Sequence, residues 1–172
     1  MASPLTILRG FHPLKDAVFA SLAGTAQSSH GDEAIWLRTI GLRSKGFPET
    51  VARVSDAMDR AKRQPKGVGR SIKQGLITRQ YNWARAHFEQ NGGVAVCWNG
   101  LTGSRRAYMQ AAFDAGAGRL FAELAPFAGY ITLDPRGVNA ESSVPRRKSD
   151  LGGFALSGAR RKEMAQALVA RA

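Results

Sequence analysis

GVAVCWNGLTGSRRAYMQAAFDAGAGRLFAELAPFAGYITLDPRGVNAESSVPR, residues Gly93–Arg146, decides how this chain is read. Val94–Trp98 is a short, almost wholly apolar run, the pattern of a strand covered on both faces. Thr102 or Ser104 can cap a helix that extends to about Ala115, with Tyr108, Ala111, Ala112 and Ala115 on one side. Gly116 and Gly118 close it, and Arg119–Leu124 follows as a second strand, with a shorter one at Tyr130–Leu133. Strand, helix and strand in that order imply a right-handed parallel crossover. The fold class is therefore α/β, a parallel sheet flanked by helices. In such sheets ligands lie outside the carboxyl ends of the strands, so chemistry is expected between Trp98 and Arg147.

Outward from this core (residues 91–147) the pattern weakens. Before it, Ser71–Gln90 places Ile72, Leu76, Trp83 and Phe88 at helical spacing, and Asn91-Gly92-Gly93 stops the helix. Pro48 suits a first helical position, and Val51, Val54 and Met58 form a stripe that ends near Gln64. Leu14, Val18, Phe19 and Leu22 suggest a helix ending near Gly24, whereas Ala34–Ile40 fits either a strand or a helical turn. Residues 1–90 thus read as mostly helical. After the core, Gly137–Gly153 is loop-forming by composition. Ala159–Arg171 is amphipathic, with Met164, Leu168 and Val169 expected inward and Arg160, Arg161 and Lys162 outward, which gives 148–172 as loop and helix. A single α/β domain, 1–172, is the expected organisation.

No apolar run approaches the ~20 residues that span a bilayer, and the amino-terminal apolar pieces are broken by Arg9, His12 and Lys15, unlike a secretory signal. The single cysteine, Cys97, has no partner within the chain, which fits a reducing cytoplasm. With 25 Lys and Arg against 13 Asp and Glu, the formal charge is +12. The excess peaks at Arg60, Lys62, Arg63, Lys66, Arg70, Lys73 and Arg79, and no acid lies between Asp59 and Glu89. Such a face suits an anionic membrane surface at the inner leaflet, or it is simply a solvated helix surface. It is poor in interleaved aromatics and accompanies no nucleic-acid-reading motif, which counts against nucleic acid as the partner.

Within the loops, Glu123 closes an otherwise apolar strand. Partial shielding there is expected to raise a carboxyl pKa toward the range of a general base; pairing with Arg119 is the structural alternative. Asn99 lies at the other strand end, beside Trp98. Asp134-Pro135-Arg136-Gly137 is turn chemistry first. Asp134, Gly137, Asn139, Ser142 and Ser143 offer small hydrogen-bonding groups for a hydroxyl-rich ligand, and Arg146, Arg147 and Lys148 add cations for a carboxylate or phosphate. There is no Walker A sequence, GxGxxG, zinc-spaced Cys/His pair or GxSxG elbow. No metal or cofactor is expected.

Leu120–Arg146, LFAELAPFAGYITLDPRGVNAESSVPR, resembles the capsule polysaccharide synthesis and export family of bacteria. The resemblance rests on the strand ending in Glu123, on Tyr130-Ile131-Thr132-Leu133-Asp134, on Gly137-Val138-Asn139, on Ser142-Ser143 and on Val144-Pro145-Arg146. GVAVCWNG upstream resembles the family's preceding strand. The order holds over about a third of the chain; Leu124-Ala125 and Pro126-Phe127 depart from the family pattern.

The resemblance implies a Rossmann-like lobe of a two-lobed, GT-B-type glycosyltransferase. It also implies transfer of 3-deoxy-manno-octulosonic acid (Kdo) from CMP-Kdo, as donor substrate, to a lipid-linked saccharide acceptor. Glu123 would then be the base toward the acceptor hydroxyl, and Asn139 and Ser142 loop contacts. The family's donor-binding lobe and its histidine–proline pair have no counterpart after Arg147, so the resemblance leaves open a truncated member, a fragment, a one-lobed relative that has lost transfer activity, or a separate chain that supplies that lobe. A non-catalytic assembly or binding protein of the same pathway at the membrane surface, or a basic nucleic-acid-binding domain, is the alternative.

Overall fold

In a computed structural model, the described residues are 4–8, 12–30, 34–37, 45–125, 130–143 and 157–169. The elements run β1 (Leu5–Leu8), α1 (Pro13–His30), β2 (Ala34–Leu37), α2 (Thr50–Asp59), α3 (Val68–Asn91), β3 (Val94–Trp98), α4 (Gly103–Asp114), β4 (Gly118–Leu124) and β5 (Ile131–Asp134). A short 3-10 turn, Asn139–Glu141, and a final helix, α5 (Gly158–Val169), follow. The five strands form one sheet in the order β2-β1-β3-β4-β5. The first four are mutually parallel and β5 runs antiparallel on the edge. This is an open, mostly parallel α/β sheet of Rossmann-like order. The chain steps from β1 outward to β2, then returns to the other side of β1 as β3, which puts the topological switch point between β1 and β3.

Both sheet faces are covered, as the apolar strands require. On one side α2, α3 and α4 pack against Leu8, Ala95, Cys97 and Phe121 through Val54, Met58, Ile77, Tyr81, Phe88, Tyr108 and Met109. On the other, Phe19 and Ala23 of α1 pack against Leu5, Ile7, Val96, Trp98 and Ala122. Two polar contacts cross the first layer: the Tyr108 hydroxyl donates to the carbonyl of Thr6 at 2.5 Å, and the Thr6 hydroxyl lies 3.1 Å from His87 Nε2. Burial drives the Cys97 thiol pKa up to about 12, so at neutral pH this residue is a protonated, inert part of the core.

Several expectations are corrected. The sheet is mixed, because β5 is antiparallel to β4. Residues 1–90 supply two parallel strands as well as helices; β1, a neighbour of β3, has no counterpart in the sequence reading. Helix α1 runs through Gly24 to His30, and α2 begins at Thr50 after a turn at Pro48-Glu49. Val51, Ile72 and Leu76 are exposed, and the inward stripes are Thr50, Val54, Ala57, Met58 in α2 and Ile77, Tyr81, Ala84, Phe88 in α3. Val169 of α5 is exposed, as are Arg160, Arg161 and Lys162. The side chains of Met164 and Leu168 lie outside the description.

Candidate functional site at the carboxyl ends of β3 and β4

Trp98 pairs in register with Ala122, so Asn99 and Glu123 leave neighbouring strands side by side. Asn99 Nδ2 donates to Glu123 Oε2 at 2.9 Å, and Asn99 Oδ1 accepts from the Leu101 amide at 3.2 Å. The backbone donor fixes the orientation of the Asn99 amide, because its oxygen must face Leu101 and its nitrogen therefore faces the carboxylate. Asn99 sits at φ 67°, a left-handed conformation that asparagine tolerates better than most residues, and this places its side chain across the strand ends. Glu123 Oε1 accepts from the Leu124 amide at 3.1 Å. The Glu123 carboxylate is half-buried and paired with Asn99; no ion pair joins it to Arg119, which instead stacks over Phe113 with 4.5 Å from guanidinium to ring centroid.

One cation from the opposite face of the sheet acts on this carboxylate electrostatically. Lys15 Nζ, from the first turn of α1, lies 4.8 Å from the centre of the Trp98 ring. Burial lowers the Lys15 pKa most; the positive charges of Arg105 and Lys62 lower it further, while Glu123 acts in the opposite direction. Lys15, Lys62, Arg105 and Glu123 thus share one electrostatic neighbourhood at the switch-point rim. Lys15 and Arg105 were missing from the sequence reading, since each comes from a helix with no motif around it. Trp98 itself is a core residue, edge-on to Phe19 with ring centroids 6.2 Å apart, and Lys15 Nζ lies over its ring.

The second group of expected residues forms the loop after β5. Asp134 is 6 % exposed and is the hub of that loop. Its Oδ1 accepts from the amides of Arg136 (2.8 Å) and Gly137 (3.2 Å), and its Oδ2 from the amide (2.8 Å) and hydroxyl (2.6 Å) of Ser143. Burial pushes the Asp134 pKa up, but the Ser143 hydroxyl and the three amides together outweigh it and hold the group below the ordinary value of 3.8. Asp134 and Ser143 therefore shape the loop, and the residues they present are Asn139 and Ser142. Gly137 is buried where a Cβ would lie 2.9 Å from that of Glu141. Asn139 is exposed at φ 54°, and Ser142 is half-exposed.

The two groups face the same way. Glu123 pairs with Thr132 and Phe121 with Asp134, so these four side chains share one face of the sheet. Val138 of the loop is buried in the layer that contains Phe121 and the α2–α4 helices. No hydrogen bond among the described residues joins Asn139 or Ser142 to Glu123. Arg146, Arg147 and Lys148 lie outside the described residues. Also among the described residues, no cluster of three or more His, Cys, Asp or Glu is arranged to hold a metal, and no helix is long and apolar enough to cross a membrane. The chain matches no family model and no curated protein.

Proposed function

We propose that this chain is the acceptor-side lobe of a capsule-type glycosyltransferase that moves Kdo from CMP-Kdo to a lipid-linked saccharide. The observation that carries the reading is the Asn99–Glu123 pair, a half-buried carboxylate at the strand ends, held by an amide whose own orientation is fixed. In the reaction Glu123 takes the proton of the acceptor hydroxyl, the oxygen attacks the anomeric carbon, and CMP departs with the electron pair of the broken C–O bond. Asn99 aims the carboxylate. Lys15 and Arg105, close by, favour an anionic sugar or phosphate in the same crevice. Asn139 and Ser142, displayed by the Asp134-centred loop on the same face, are suited to sugar hydroxyls.

The test is Glu123→Gln, which keeps the size of the side chain and removes its basicity. We expect acceptor-dependent release of CMP to fall on the order of a hundredfold, the lower end of what a positioned base contributes, with unchanged circular dichroism. Undiminished release by the variant, or none by the wild type in the presence of a donor-binding lobe, overturns the reading.

A second reading, attachment at a membrane surface with or without catalysis, is favoured by one specific feature. The first nine residues of α3 (68–76) carry no fully buried side chain. Val68, Ile72 and Leu76, four residues apart, expose an apolar stripe at 76 %, 60 % and 43 %. Lys66, Arg70, Lys73 and Arg79 surround it. An apolar stripe flanked by cations is the pattern of an interfacial helix on anionic lipid, where each nearby Lys or Arg is worth about 1 kcal/mol. Sedimentation with vesicles containing phosphatidylglycerol should carry the wild type down in low salt and release it in high salt. The triple variant Val68→Ser, Ile72→Ser, Leu76→Ser should bind roughly tenfold more weakly, the loss of about 1.4 kcal/mol of apolar insertion. Equal sedimentation of variant and wild type counts against this surface.

A further inference from the structure

Behind the Asn99 loop, on the α4 side of the sheet, lies a cavity of about 100 Å³ lined by Gly100, Arg106, Gln110, Arg119, Arg136 and Glu141, among others. Glu123 and Asn99 do not line it. Its polar groups are mostly guanidinium, and their partners are unequally shared. Arg106 is held by both oxygens of Asp56. Asp56 and Glu141 also accept from Arg60, at 3.3 and 3.5 Å. Those two carboxylates are thereby matched by two arginines, Arg60 at the carboxyl cap of α2 and Arg106 of α4. Arg119 and Arg136 remain. Among the described residues neither forms an ion pair with a carboxylate, and the Arg119 guanidinium lies over the rings of Phe113 and Phe121, at 4.5 and 5.6 Å.

Contact with two rings limits where the Arg119 guanidinium can lie. A half-buried cation without an ion-pair partner of its own is costly to keep, and the carboxylate nearest in charge, Asp114, is already bonded to Arg53 and Tyr81. Burial lowers the Arg119 pKa, Asp114 opposes that and Arg106 adds to it. Gln110 contributes an amide that can donate or accept. Two surplus positive charges facing one small polar cavity match the charge of a dianion, and guanidinium groups fit the oxygens of a phosphoryl group well. A monocarboxylate would leave one charge unmatched.

We propose that this cavity is a binding site for a phosphoryl group, with Arg119 and Arg136 as its principal ligands and Gln110 as an additional hydrogen-bonding group. The site is independent of the sugar-transfer reading, since it shares no side chain with the Glu123 pair.

Isothermal titration calorimetry of the full chain with inorganic phosphate, at an ionic strength held constant with sodium chloride, tests it. The wild type should bind one equivalent saturably. Arg136→Gln alters an exposed side chain and should leave the fold intact, yet weaken phosphate at least tenfold. Arg119→Met should do the same, and Glu141→Gln, which removes the opposing charge, should tighten it severalfold. Glu123→Gln should bind phosphate as the wild type does, whatever its effect on transfer. Glycerol 3-phosphate, run alongside, separates a site for free phosphate from one that accepts an ester: binding within threefold of phosphate assigns an ester, and binding only of phosphate assigns the free ion. No saturable binding, acetate bound as tightly as phosphate, or unchanged affinity in Arg136→Gln would overturn the proposal.

Discussion

Asp114→Ala is expected to destabilise the fold by about 2–3 kcal/mol, below the full cost of breaking a buried ion pair because Arg53 is about a third exposed. Asp114 accepts from Arg53 at two atoms, Nε at 2.8 Å and Nη2 at 2.5 Å, and from the Tyr81 hydroxyl at 2.8 Å. One carboxylate thus joins α2, α3 and α4, the three helices of the larger core layer. Tyr81 is fully buried, and burial first, then Asp114, drives its hydroxyl pKa upward, so it stays a donor at every accessible pH. Asp114 closes α4, and an acid in the last turn opposes the helix dipole. Local preference alone would put another residue there, so the tertiary tie outweighs it. Urea denaturation measures the loss. Comparison with Tyr81→Phe, which removes one neutral hydrogen bond, should show a cost near 1 kcal/mol for that change alone. The double variant should lose less than the sum of the two single changes, because both remove the same contact. Additive losses, or an Asp114→Ala cost below 1 kcal/mol, would show that Arg53 and Tyr81 find other partners.

How far the fold was readable from sequence depended on what each element could announce by itself. The β3–α4–β4 unit was legible because an apolar run, a helical stripe and closing glycines came in an order that few topologies accept. β1 was not. Leu5–Leu8 is four residues long, and a strand that short has no periodicity to distinguish it from a turn of helix. The direction of β5 could have been read. Six residues, 125–130, separate it from β4, and a parallel return needs a dozen or more. Ile72 and Leu76 misled for a different reason. Apolar spacing gives the period of a helix, but it does not say that its first turns extend past the core they would have faced.

The candidate site divides in the same way. Asn99 and Glu123 become neighbours as soon as β3 and β4 are parallel and in register, so the sequence carried that pairing implicitly. Lys15 and Arg105 come from the starts of two helices on opposite faces of the sheet, and only the folded arrangement brings Lys15 within electrostatic reach of both Arg105 and Glu123. The arginine-lined cavity was invisible for a related reason. Arg106, Arg119 and Arg136 are ordinary in sequence, and what distinguishes them is which carboxylates are already taken.

Asp134→Ala tests the loop that carries Asn139 and Ser142, and its effect is expected to depend on pH. Removing the carboxylate leaves the Arg136, Gly137 and Ser143 amides and the Ser143 hydroxyl without their acceptor. At roughly 1 kcal/mol for each of the more buried donors, the cost near neutral pH should be about 3 kcal/mol. The pKa of Asp134 is lower in the folded chain than its ordinary 3.8. Its contribution is therefore complete above the unfolded value and is lost as pH falls through the folded one. The stability gap between wild type and Asp134→Ala should be constant from pH 5 to 8, then shrink below about pH 4, as measured by thermal melts across that range. Amide exchange localises the effect: the Gly137 and Ser143 amides should exchange faster in the variant, while those of β3 keep their protection. A gap that stays constant into acid would mean that the carboxylate holds the loop no better charged than neutral. Fast exchange throughout β3 would mean that the loop is part of the core layer through Val138 and cannot loosen alone. In the expected case Asn139 and Ser142 are displayed by a loop that acid releases, so any ligand they hold should be lost over the same range of pH.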